Sequence, residues 1–152
     1  MKRLRIVGKG DNLMRELKPL ETTRLEDLTV GVVMPEEYPT AVVFTFKGEL
    51  HSLNADTVFT GIANPAGDWI GKVKAGETVV LDFYDLGYIN SVGVGHIAQI
   101  AQKLHRQEAS MLLVLNRESK VYPIFEYVGI LEFPGVYTQY HPLSEGIDLP
   151  HE

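Results

Sequence analysis

The stretch from Thr78 to Asn116 constrains the fold of this chain more than any other. Two short apolar runs, "TVVLDF" (78–83) and "MLLVLN" (111–116), stand on either side of a segment with helical period. A run of this length without polar alternation reads as a strand buried on both faces. Between the runs, Ile97, Ile100, Ala101 and Leu104 recur at i, i+3, i+4 and i+7, one face of an amphipathic helix. Strand, helix and strand in this order argue for a parallel or mixed sheet covered by helices.

The flanking segments extend that unit. Leu28–Met34 and Ala41–Phe46 are β-rich and enclose "PEEYPT", so an opening hairpin is expected, with Gly48 breaking its second strand. Asn54 is the expected N-cap of a helix from Ala55, with Val58, Phe59 and Ile62 on its inner face. That helix should stop or kink near Pro65 and Gly67. Downstream, Val121, Ile124, Phe125 and Val128 share a helical face, Pro123 sits early in the helix, and Gly129 suits its C′ position. "VYTQY" reads as a last strand and "PLSEGI" as a helical turn. Before residue 28, Leu13, Leu17 and Leu20 have helical spacing interrupted by Pro19, which suits a short helix or an extended arm. The expected division is an arm over 1–28, an α/β domain over 29–148 and a tail over 149–152.

Composition narrows the function classes. The formal net charge is −6, so no overall positive field recruits nucleic acid or anionic membrane. The chain has no cysteine, which excludes disulfides, thiolate metal sites and cysteine nucleophiles. No apolar run reaches the roughly 18 residues of a membrane span, and no signal-peptide core follows the basic first residues. A soluble, cytoplasmic chain is the expectation. The five histidines show no ligand spacing, so no metal is expected, and no cofactor motif is complete: "GVG" at 93–95 is only a fragment of a dinucleotide fingerprint. A hydrolase elbow would need Gly-x-Ser-x-Gly, and "INSVG" lacks the first glycine. No catalytic residue is assigned. Asp82 and Asp85 read as turn and rim residues, and Trp69 and Phe59 as packing residues.

The turn into the central helix, "YINSVGVGH", is the chemically suggestive stretch. Ser91 can act as a helix N-cap through its hydroxyl, with Gly93 and Gly95 easing a tight first turn. The same hydroxyl can be held out for a partner. A phosphate on it would add about −1.5 to −2 charges. A helix N-terminus tolerates such an anion, so modification would switch binding rather than unfold the domain. Tyr84 and Tyr88, if exposed, would be anchors for a protein partner. His96, five residues along the helix, should point away from Ser91.

Residues 82–94, "DFYDLGYINSVGV", resemble the signature of STAS domains, the fold of bacterial anti-sigma factor antagonists. In that family an Asp-Leu ends a strand, a short apolar loop follows, and Asp-Ser-Ser/Thr-Gly-Leu opens a helix. "FKGELHSLNAD" is similar to the Gly-Glu-Leu segment before the first helix, and "LLVLN" followed by "VYPIFEYVGI" resembles the later strand and helix. The likeness covers about residues 28 to 148. It implies a STAS-like α/β fold: a four- to five-stranded mixed sheet, helices mainly on one side, and an opening hairpin.

The resemblance also implies a role. Ser91 falls on the serine that a partner kinase, itself the anti-sigma factor, phosphorylates in the antagonists, and a phosphatase reverses the modification. By this likeness the chain is a non-enzymatic regulatory module, with Tyr84, Tyr88, Asn90, Ser91, Val92 and Gly93 expected at the partner interface. A homodimer is compatible with the fold. Two positions depart from the family: Asn90 stands for the usual Asp and Val92 for the second Ser or Thr. These departures leave an alternative, a STAS scaffold that is not phosphorylated, within a stress-signalling assembly or a lipid-transport system.

Overall fold

A computed structural model of the chain describes residues 2–4, 21–25, 27–63 and 70–150, with side-chain surroundings given for 27–59 and 70–150. The elements in order are β1 (Lys2–Leu4), β2 (Glu21–Leu25), β3 (Leu28–Val33), β4 (Ala41–Leu50), α1 (Ser52–Ala63), β5 (Thr78–Asp82) and β6 (Leu86–Ile89). They continue with α2 (Ser91–Arg106), β7 (Ser110–Val114), α3 (Tyr122–Val128), β8 (Val136–Gln139) and β9 (Ile147–Leu149). The main sheet runs β2-β3-β4-β5-β7-β8, with β6 pairing to the far end of β4. The β2-β3 and β3-β4 pairs are antiparallel, and the remaining pairs of this sheet are parallel. The sheet is therefore mixed, one of the two arrangements the sequence pattern allows.

Successive strand residues alternate between two cores. Phe44 and Phe46 of β4, Val79 and Leu81 of β5, and Leu113 of β7 point to one face. There they meet Val58 and Phe59 of α1, Val94, Ile97, Ile100 and Leu104 of α2, and Phe125 of α3. Fully burying each aliphatic or aromatic side chain is worth about 1.5–3 kcal/mol, so this layer dominates the fold's stability. Val43, Val80, Leu112 and Val114 point the other way, under Tyr38, Leu143, Ile147 and Leu149. The two apolar runs are thus covered on both sides, and every residue of β5 and β7 is buried.

Several expectations are sharpened. Gly48 does not end β4, which runs on to Leu50. Its φ of +112° bends the strand, and the pairing to β6 shifts register between Gly48 and Glu49. A Cβ there would lie 2.1 Å from the Asp27 carbonyl oxygen, so only glycine fits. The helix expected from Ala55 starts at Ser52. Asn54 is inside its first turn, where Oδ1 accepts the His51 N–H at 3.0 Å while His51 Nδ1 accepts the Leu53 N–H at 3.2 Å. This reciprocal arrangement is a capping box with His51 at the cap. The third helix is shorter than its apolar pattern: Phe125 is buried and Val128 is exposed. Gly129 ends it at φ +82°, as expected of a C′ glycine.

The helical spacing of Leu13, Leu17 and Leu20, the break near Pro65 and Gly67, and Trp69 lie outside the described residues; so does the side chain of Ile62. Within the expected arm, β2 pairs antiparallel with β3 and β1 pairs with β9.

Candidate functional site

The site is built where β4, β5 and β6 deliver the chain to the two helices α1 and α2. Asp82 ends β5 and is 9% exposed; its Oδ1 accepts the Tyr84 N–H at 3.0 Å, closing the turn. Burial pushes its carboxyl up to about 6, aided by the nearby Asp85 charge and opposed by the Tyr84 hydrogen bond and by Lys47. From that turn β6 runs beside the end of β4, pairing Tyr88 with Glu49 and Ile89 with Leu50. Where the family resemblance implies a short apolar loop, the chain forms a four-residue strand with buried ends and exposed middle.

Asn90, not Ser91, caps α2. Its backbone is extended (φ −117°, ψ 178°), and its Oδ1 accepts the Gly93 N–H at 3.1 Å. Ser91 is therefore the first residue of the helix, exposed, with its hydroxyl free of the capping duty expected of it. The Asn90 amide also donates through Nδ2 to Ser52 Oγ at 3.1 Å, joining the start of α2 to the start of α1. An aspartate at this position could cap equally well but could not donate that second bond. Farther along, His96 Nε2 donates to Asp56 Oδ1 at 2.6 Å, and its ring stacks on Phe59 at 5.4 Å. His96 is thus committed to α1.

The remaining expected interface residues divide. Val92 is 41% exposed and Tyr88 46%, so both reach the surface, one residue after and three residues before Ser91 in the chain. Tyr84 is half-buried against the core on the other side of the sheet. Gly93 is buried: a Cβ would lie 3.0 Å from Ile89 Cγ1 and 3.2 Å from Leu50 Cγ, so this glycine seats α2 on β6 and β4. Gly95 faces open space, and its small size serves no packing contact.

One cluster escaped the sequence reading because its members lie far apart in the chain. Asp27, Glu49 and His51 bring donor atoms within 4.8 Å of one another, with His51 Nε2 3.0 Å from Asp27 Oδ2. The Leu53 N–H occupies Nδ1, so a neutral His51 carries its hydrogen on Nε2 and donates it to Asp27. The ring lacks the free lone pair a metal would need at Nε2, and the group reads as a strut fixing the start of α1.

Comparison with known proteins places this architecture. The STAS domain family matches residues 33–142. The chain belongs to the STAS family. An anti-sigma factor antagonist from Mycobacterium paratuberculosis is similar in structure at 20% identity, with a TM-score of 0.55 over 76% of this chain and 89% of that one. The anti-sigma factor antagonist SpoIIAA in its unphosphorylated form matches at 19% identity and a TM-score of 0.53, over 74% of this chain and 88% of its own. The murine Solute Carrier 26 family member A9 anion transporter matches at 16% identity and a TM-score of 0.52, over 86% of this chain but 22% of the transporter. At these identities the STAS likeness to solved structures is one of fold. No curated protein matches the sequence. No described helix is long and apolar enough to cross a membrane.

Proposed function

We propose that this STAS domain is a non-enzymatic switch module of the cytoplasm. It binds a serine-kinase-like anti-sigma factor through the turn at Ser91 and releases it on phosphorylation of that serine. The observation that carries the reading is the division of labour at the turn. Asn90 holds the helix cap, so Ser91 is exposed at the first helical position and its hydroxyl is available to a kinase. Val92 and Tyr88 beside it supply exposed apolar surface for the partner. A dianion among such side chains would have to be desolvated on binding, which disfavours the complex, while the helix N-terminus keeps the fold indifferent to it. A phosphatase restoring Ser91 completes the cycle.

The test is capture of the partner by full-length Ser91→Asp and Ser91→Glu proteins. Both should unfold at the wild-type temperature or slightly above it, because an acid in the first turn favours a helix by about 0.3–1 kcal/mol. Both should lose the partner. Retained capture by both variants would sink the switch.

A second reading is a scaffold that is never phosphorylated, with residues before Asp27 driving self-association in a larger assembly, such as a stress-signalling complex or a lipid-transport system. Asn90 favours it, since the bond to Ser52 uses the turn structurally. Sizing the full chain against one beginning at Asp27 addresses this reading: an unchanged oligomeric state removes the role of the arm.

A further inference from the structure

The two ends of the sequence carry opposite charge, and the fold pairs them. The first ten residues hold Lys2, Arg3, Arg5 and Lys9 and no acid, while residues 141–152 hold Glu145, Asp148 and Glu152 and no Lys or Arg. β1 runs antiparallel to β9, with Lys2 opposite Leu149, Arg3 opposite Asp148 and Leu4 opposite Ile147. The β9 edge is held ready for a strand. Ile147 and Leu149 are anchored in the second core, and Gln139 Oε1 accepts the Asp148 N–H at 2.8 Å. Neighbouring residues of a strand send their backbone groups to opposite edges, so those of Ile147 and Leu149 face β1. Arg3 and Asp148 are then a non-hydrogen-bonded pair, the closer of the two kinds.

β1 has no other place in the fold. Among the described residues it pairs only with β9, in a two-stranded sheet apart from the main one. A sheet of two three-residue strands is marginal by itself. Sixteen residues, 5–20, join β1 to β2. Fully extended, that length reaches about 50 Å, more than the roughly 30 Å diameter of a small domain. β1 can therefore lie on the β9 of a neighbouring copy in the same register, with the main sheet intact. Reciprocal exchange makes the pairing twice per dimer and loses no contact.

We propose that β9 is a docking edge for the basic strand of a second copy, so that two chains exchange β1 in a symmetric dimer. The net charge of −6 does not oppose this, because the contact joins a basic arm to an acidic segment. Recognition is by strand addition: the backbone groups of Ile147 and Leu149 hold the strand, and Arg3 against Asp148 sets its register. The dimer does not depend on the Ser91 reading. β9 covers the second face of the sheet, and the helix that begins at Ser91 covers the first.

The chain has no cysteine, so a disulfide can be introduced without competition. Opposite residues of a non-hydrogen-bonded pair stand about 4.5 Å apart at Cα, which a disulfide can bridge. Full-length Arg3→Cys and Asp148→Cys proteins are mixed and mildly oxidised, and the double variant is oxidised by itself. Both samples should give a covalent dimer on non-reducing gels, with mass spectrometry finding position 3 bridged to position 148. A double variant that closes as a monomer, with no such bridge in the mixture, overturns the proposal, since β1 then stays on its own chain. No 3–148 bridge in either sample, with the variants folded by thermal unfolding, also overturns it. Sedimentation makes the same test with Asp148 in place. Arg3→Glu should raise the dimer's dissociation constant about tenfold, since each dimer holds two such pairs. Added salt should raise it too. Lys74→Glu, an equal change in net charge outside the arm, should leave it unchanged. A dimer indifferent to Arg3→Glu, or a wild-type protein that stays monomeric at every concentration, overturns the proposal and leaves the Ser91 switch standing.

Discussion

Two polar clusters serve the two faces of the sheet, and they differ in how fully their groups are used. Behind the second face, buried Gln139 holds the C-terminal segment in place. Its Nε2 donates to the carbonyls of His141 and Gly146 at 3.0 and 2.9 Å, and its Oε1 accepts the Asp148 N–H at 2.8 Å. His141 then bonds Asp148 at 3.0 Å, both half-buried, and this clasp keeps Leu143, Ile147 and Leu149 over the sheet. The turn at α2 is the opposite case. Asn90 and Ser52 bond each other, while Ser91, Val92, Tyr88 and Leu53 face solvent. A saturated cluster stabilises a fold; an exposed one, set on equally rigid elements, is available for recognition.

That contrast can be broken at either end. The largest effect is expected from Gln139→Ala, which strips partners from three backbone groups, one buried and two half-buried. Its thermal unfolding should show a loss of about 3 kcal/mol, and the folded fraction should still bind the partner. If the loss is negligible, the clasp is not structural.

Asp82, at the foot of the turn, should show the next effect through pH. Its folded carboxyl titrates at about 6 against 3.8 for the ordinary group, so the folded state holds the proton more tightly. Stability from this residue is therefore fully present below the ordinary value and falls as pH rises through 6. Asp82→Asn removes the titration and can still accept the Tyr84 N–H. Relative to wild type the variant should gain about 2 kcal/mol in denaturant unfolding between pH 4 and pH 8. A difference that does not vary with pH contradicts the burial argument.

Asn90→Ala should cost about 1 kcal/mol as a lost cap. Asn90→Asp should keep the cap, and comparing partner capture by the two separates capping from recognition. Ser91→Ala should be the mildest, within about 0.5 kcal/mol of wild type by thermal unfolding. A loss as large as that of Asn90→Ala would show that Ser91 shares the cap after all.

The frame of the molecule was legible in the sequence where periodicity is strong. The runs around Leu81 and Leu113 and the Ile97–Leu104 face gave the parallel core, because strands buried on both faces have no polar interruptions. The STAS signature gave the family. Boundaries set by hydrogen bonds were not legible. Asn90 and Ser91 are both good caps, and only the extended backbone at Asn90 decides between them. Asn54 reads as a cap but serves from inside the helix, because His51 caps in its place. β6 was hidden because four residues with exposed Gly87 and Tyr88 do not alternate as a half-buried strand does. The Asp27–Glu49–His51 group and the Gln139 clasp join residues that only the fold brings together.

On the proposed function, Ser91 is a regulatory hydroxyl and not part of the scaffold. Mass spectrometry of the protein recovered from its own cell, in growth and under stress, tests it most directly. The expected result is a phosphorylated peptide with the phosphate on Ser91 and a fraction that changes with condition. A Ser91 peptide without phosphate in every condition would contradict the account.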